Sequence, residues 1–125
     1  MICLLLLYDQ GLHFVIWEAQ KRSVRLILSF VNNFQDFGGR ARYVQWARDA
    51  GVAVNGEDDF CTNLVVKGYY KNHILRVLTR INSMTNVAYK DDPTIMAWEL
   101  INETRCPADY SGKTVQVSVI YTLFL

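Results

Sequence analysis

The sequence predicts an α/β fold assembled from parallel strand–helix steps, and three observations carry that expectation. Two short, almost uninterrupted apolar runs, "VRLILSF" (24–30) and "TIMAWELI" (94–101), read as strands buried on both faces. A stretch with helical spacing, from residue 63 to about residue 87, lies between them. A further helical face precedes the first run. A strand, a crossover helix and a second buried strand make a parallel βαβ unit.

Taken in order, the chain opens with "MICLLLLYDQG". This stretch has no basic region before its apolar run and no small-residue cleavage site after it, and it is too short to span a bilayer. A strand or turn fragment is expected there rather than a targeting segment. From residue 10 to residue 22, Leu12, Val15, Ile16 and Ala19 fall on one helical face. Lys21 and Arg22 sit favourably at the C-terminal end of that helix. After the first strand, residues 31–62 are irregular. They hold "DFGGR", "NGEDD" and a short helix, "YVQWARDA", closed by Gly51. So long a connection is usually functional or disordered, and its aromatic content favours function.

In the second helix Val66, Tyr70, His73, Val77 and Ile81 recur at helical spacing, with Ile74 and Leu78 beside them. "KDDP" breaks the helix, because Pro93 cannot continue it. After the second strand a further helix should follow, yet "VQVSVIYTLFL" (115–125) has no legible helical face. Two βα steps make about a quarter of a barrel of eight such units, which typically has ~250 residues.

Composition bounds the function classes. With 51% apolar and 20% charged residues the chain is globular rather than disordered. A formal charge of +1 points to no nucleic-acid or acidic partner. The three cysteines, Cys3, Cys61 and Cys106, have no metal-type spacing, so zinc is not expected. Cys61 and Cys106 can pair only if the loops after the two strands meet.

The second strand stops on an amide and a carboxylate, Asn102 and Glu103. In a βα barrel the active site lies at the C-terminal ends of the strands, so a carboxylate there is well placed. Glycoside hydrolysis needs two carboxyl groups: one protonates the leaving oxygen, and the other attacks the anomeric carbon or activates a water. A neighbouring amide can hydrogen-bond the sugar 2-hydroxyl. By itself, "NE" after a strand is also what a capping pair at a strand-to-loop turn looks like.

The wider context separates these readings. "DDPTIMAWELINE" resembles the fourth-strand motif of the plant-type endo-β-1,4-mannanases of glycoside hydrolase family 5. So do "RLILSFVNNFQDFGGRARYVQWAR", "GVAVNGEDDF", "VVKGYYKNHILRVLTRIN" and "ADYSGKT", in the same order. The resemblance includes loops, which general βα character does not explain. It implies a fragment of a (β/α)8 TIM barrel, covering roughly the second helix through the fourth strand. Residues 1–125 are then one partial catalytic domain, family-like over 10–114 with a divergent tail over 115–125. It further implies retaining hydrolysis of mannan-type polysaccharide, with Glu103 as the acid/base and Asn102 as the substrate-binding amide. No metal or cofactor is implied, nor any nucleic-acid, membrane or protein partner. A secreted, extracellular location is implied.

Two departures stand out. The family pattern reads Asn-Glu-Pro, where this chain has Thr104; the change loosens the backbone restraint on Glu103 and creates Asn102-Glu103-Thr104, the single N-x-[ST] sequon of the sequence. The second is the missing nucleophile, a glutamate on the seventh strand of the family. Glu99 cannot replace it: four residues earlier on the same strand is roughly 13 Å at ~3.3 Å per residue, against about 5–5.5 Å for a retaining pair. The last nine residues, "VSVIYTLFL", are expected to be intron read-through, because Val117 and Ser118 can be encoded by a splice-donor consensus.

Other residues are read against bland alternatives. Trp98 is expected in the core and His73 on the inner face of its helix. Tyr43 and Trp46 are read as loop packing or sugar contact, and Asn32 and Asn33 as turn chemistry or site support. Glu57–Asp59 is expected to be a solvated acidic turn, since it does not match a calcium loop. The rival to the mannanase reading is a non-catalytic fragment, the product of a pseudogene or truncated gene, that either binds mannan weakly through its aromatic loop or is unstable and has no function. Two strands without the rest of a barrel leave apolar faces and edges uncovered.

Overall fold

The computed structural model describes residues 2–35, 38–107 and 109–116. Its elements are helix α1 (Ile2–Lys21), strand β1 (Leu26–Ser29), helix α2 (Gly39–Asp49), the single turn α3 (Asp59–Thr62), helix α4 (Leu64–Leu78) and strand β2 (Ile95–Glu99). A 3-10 turn at Tyr89–Asp91 precedes β2. The two strands pair in parallel, as expected. Two compact units emerge: residues up to 28 with 76–98, and residues 29–75 with those from 99 onward.

In the first unit α1 begins at Ile2, which overturns the expected strand or turn at the N-terminus. Leucine is a strong helix former, and nothing before Gly11 interrupts the run. The helix closes with a Schellman motif. Ser23 takes the left-handed conformation (φ 57°), Val24 N donates to the Ala19 carbonyl at 2.9 Å, and Ser23 N donates to that of Gln20 at 3.1 Å.

The first core is Ile16, Tyr89 and Ile95, with Leu12, Leu26, Leu28, Val77 and Trp98 packed against it. Trp98 is therefore a core residue, as expected. Burial on both strand faces is not observed. Leu26 N donates to the Thr94 carbonyl, which sets Ile27 level with Met96. Both point away from that core and are 63% exposed.

The helix expected to reach residue 87 ends at Leu78. Its continuation is a turn closed by an antiparallel bridge between Ile81 and Ala88. The fully buried Asn82 decides this. Its side chain accepts from Met84 N at 2.9 Å and donates to the His13 carbonyl at 3.2 Å, while Asn86 adopts φ 57°. Asparagine offers the backbone partners that a helix would otherwise supply.

In the second unit the "GG" before α2 is a tight approach. Gly39 has φ 40°, and a Cβ there would lie 1.8 Å from the Phe34 carbonyl oxygen, so only glycine fits. The helix starts at this glycine, four residues earlier than "YVQWARDA" suggests, and ends at Gly51 as expected (φ 82°). Asn63 caps α4, its Oδ1 accepting from Val65 N at 2.9 Å and Val66 N at 3.3 Å.

Tyr43, Phe60 and Tyr70 form an aromatic cluster with centroids 5.0–5.6 Å apart, Tyr43 edge-on to both others and Phe60 tilted against Tyr70. His73, partly buried as expected, stands edge-on to Phe30 and Tyr43. Residues 113–116 are helical, so the tail does begin as the helix that its sequence hid. Residues 117–125, which carry the expected read-through, lie outside the described residues.

Candidate active site at the strand ends

The segments that leave the two strands, residues 30–33 and 99–106, both belong to the second unit. They remain paired beyond the strands themselves. Phe30 N donates to the Glu99 carbonyl at 3.0 Å, Asn102 N to that of Val31 at 2.9 Å, and Asn33 N to that of Asn102 at 3.0 Å. Asn32 and Asn102 thus form a parallel bridge, and both backbone groups of Asn102 are fixed. Its side-chain amide donates to Asn32 Oδ1 at 3.3 Å.

Glu103 follows in the left-handed region, φ 56°, where a non-glycine residue is uncommon. This turn lifts its carboxylate off the ladder into solvent. The carboxylate pairs with Arg105 Nη2 at 3.2 Å, both side chains being more than half exposed. Such a pair contributes ~0–1 kcal/mol at most. Thr104 does more than fail to be proline: its hydroxyl donates to the Ile101 carbonyl at 2.8 Å and so ties the turn back to the strand.

Two buried side chains brace this turn. Asn33, 6% exposed, accepts from Arg105 N through its Oδ1 at 3.2 Å. Arg40, 5% exposed, donates from Nη1 to Asp58 Oδ1 at 2.9 Å and to the Arg105 carbonyl at 3.2 Å. Its backbone N–H donates to the Asn32 carbonyl at 3.0 Å. One residue at the start of α2 therefore holds both strand ends.

Asn32 and Asn33 both brace the turn that carries Asn102 and Glu103, Asn32 through the Asn102 amide and Asn33 through the Arg105 N–H. The acidic stretch corrects an expectation, since it is not simply a solvated turn. Asp58 neutralises the buried Arg40, Glu57 accepts from Gln35 Nε2 at 3.1 Å, and Asp59 accepts from Asn55 N at 2.6 Å. Arg40 went unmarked in the sequence. Its signal was there: an arginine directly after a double glycine, with acidic residues in the next loop.

The Tyr70 hydroxyl donates to the Leu100 carbonyl, fixing the segment that follows β2 from the side of the aromatic cluster. Burial pushes the Tyr43 phenol up to about 12, and burial followed by the neighbouring Tyr43 pushes Tyr70 up as well. Tyr43 is packed inside, while Trp46 is 51% exposed. A cavity of about 510 Å³ adjoins the turn, lined by Thr104, Arg105 and the nearly fully exposed Tyr110 among others. Cys61 and Cys106 are both buried thiols. Among the described residues no group of His, Cys, Asp or Glu is arranged to hold a metal.

The family model described as GH family 5 beta-mannosidase-like matches residues 6–122. The chain belongs to this glycoside hydrolase family. Over 110 residues it is 64% identical to mannan endo-1,4-beta-mannosidase 5 of Solanum lycopersicum, covering 88% of this chain and 27% of that protein. It is 58% identical over 107 residues to mannan endo-1,4-beta-mannosidase 7 of Arabidopsis thaliana, covering 86% and 25%. The solved endo-beta-1,4-mannanase of Thermotoga petrophila superposes with a TM-score of 0.82 at 39% identity, over 89% of this chain and 23% of that one.

The glycoside hydrolase segment thus spans about a quarter of the length of the curated relatives it matches. Its two strands and their helices are a stretch of a (β/α)8 barrel. In such a barrel the ends of parallel strands are where catalytic side chains stand.

Proposed function

We propose that this chain is the acid/base-bearing portion of a retaining endo-β-1,4-mannanase. The substrates are mannans, galactomannans and glucomannans, cut at internal β-1,4-mannosidic bonds by a secreted protein. Glu103 protonates the glycosidic oxygen as the bond breaks and then takes the proton from the attacking water. Asn102 offers its second amide N–H to the sugar 2-hydroxyl, while the first stays on Asn32. The observation that carries the reading is the geometry of Asn102 and Glu103. The amide is locked in the ladder, and the carboxylate is turned out of it by a left-handed residue.

The nucleophile must come from a strand that these 125 residues do not contain, because a retaining pair stands about 5–5.5 Å apart. The chain added alone to mannan therefore releases no new reducing ends. The test is to graft these residues in place of the corresponding quarter of a full-length relative. The graft should turn over mannan, and Glu103→Gln should lower kcat by ~10²–10⁴. Undiminished turnover by the Glu103→Gln graft would defeat the assignment. The rival mannan-binding reading keeps only part of its support, because Tyr43 of the aromatic loop is packed inward while Trp46 is half exposed.

A further inference from the structure

We infer that Asn102 is an acceptor for N-linked glycosylation, and that modification and a working sugar site exclude each other at one nitrogen. The inference rests on the active-site and secretion readings above, and the sequon itself is independent of both. Asn102-Glu103-Thr104 is the single N-x-[ST] triplet in the chain. All three residues lie at or just beyond the end of the ladder, and Asn102 is exposed.

The folded arrangement argues that transfer comes before pairing. A transferase must engage the Asn amide and the Thr hydroxyl together. In the fold, the Asn102 amide donates to Asn32 Oδ1 and both its backbone groups are paired, while the Thr104 hydroxyl donates to the Ile101 carbonyl. The sequon must leave the ladder to be modified. The unfolded chain is therefore the substrate.

The donor is an oligosaccharide carried on a lipid pyrophosphate. Asn102 Nδ2 bonds to the anomeric carbon, and the bond from that carbon to the pyrophosphate oxygen breaks. The lipid pyrophosphate leaves with the electron pair, and the amide proton passes to a base of the transferase. No oxidant or reductant is needed.

Afterwards Nδ2 keeps one N–H instead of two. It can serve Asn32 or a sugar hydroxyl but not both, and a glycan occupies the space beside Glu103. Asn102 thereby works as a choice made once, during folding, between a glycan carrier and a substrate ligand.

The test offers purified oligosaccharyl transferase and lipid-linked oligosaccharide to the full chain, either natively folded or diluted directly from denaturant. Transfer is read from the mass of the peptide that holds Asn102. It needs neither mannan turnover nor secretion, so its outcome is separate from that of the readings above. The unfolded chain should gain one oligosaccharide, the folded chain several-fold less, and Asn102→Gln or Thr104→Val none. No transfer to the unfolded chain, or transfer that survives Asn102→Gln, would overturn the site. Equal transfer to both forms would overturn the order of events.

Discussion

Arg40 is the residue on which the strand-end turn depends. Its guanidinium bridges Asp58 and the Arg105 carbonyl from a buried position, the two N–H bonds of one planar Nη1 group serving both acceptors at once. Arg40→Met should cost about 1–3 kcal/mol by leaving acceptors unserved. It should also speed hydrogen exchange at the Arg105 amide, which the same turn protects. Arg40→Lys should recover only part of the loss, since a strongly hydrated ammonium on a shorter stem does not place two N–H bonds where the planar Nη1 group does. Full recovery would show that charge alone matters.

Tyr43 gives a pH prediction at the same scale. Its folded pKa, about 12, lies above the ~10 of a free phenol. The unfolded chain therefore releases this proton first, so stability is intact below pH ~10 and falls as pH rises towards ~12. Phenolate absorbance should lag behind that of free tyrosine. Tyr43→Phe should flatten the alkaline loss of circular dichroism, and an unchanged curve would remove Tyr43 as its cause.

At the scale of the element, helix ends were readable where a residue has one dominant use. Gly51 closes α2 and Asn63 opens α4, each by local chemistry. Asn63→Ala should cost about 0.5–2 kcal/mol, with Asn63→Asp retaining most of it, as followed by helical circular dichroism on denaturation. Ser23 closes α1 in a conformation that favours glycine. Ser23→Gly should therefore raise stability by about 1 kcal/mol. A loss instead would mean that the serine side chain makes a contact worth more than the strain.

The start of α1 and the end of α4 were not legible. Nothing in "MICLLLLYDQG" distinguishes a leucine-rich strand from a helix by periodicity. The periodic pattern from residue 63 runs through Ile81, but the buried Asn82 draws the backbone into a turn by bonding to the His13 carbonyl. That partner is 69 residues away in sequence, so no local rule announces it.

For the molecule as a whole, the exposed pair Ile27 and Met96 has the clearest consequence. Both sit on the strand face turned away from the first core, with 63% of each exposed. In a closed barrel that face looks inward and is filled by layers of side chains. Burying such side chains is worth ~1.5–3 kcal/mol each, and unpaired strand edges invite pairing with another copy. The chain should associate as its concentration rises and bind hydrophobic dyes. Ile27→Lys with Met96→Lys should shift association to higher concentration by light scattering. Scattering unchanged by both would place the sticky surface elsewhere.

The sequence alone determined the α/β class, the two strands with their crossover helix, and the family, because apolar runs, breakers and motif order are local patterns. It also marked Asn102 and Glu103 as the place to look, since a strand that ends on an amide and a carboxylate is visible in the letters. Only the tertiary structure decided how that place is built. Asn32 meeting Asn102, Asn33 holding Arg105, and Arg40 spanning from α2 to both strand ends are contacts between residues far apart in the chain. Each depends on buried polar groups finding partners, a requirement that acts across the fold rather than along the chain.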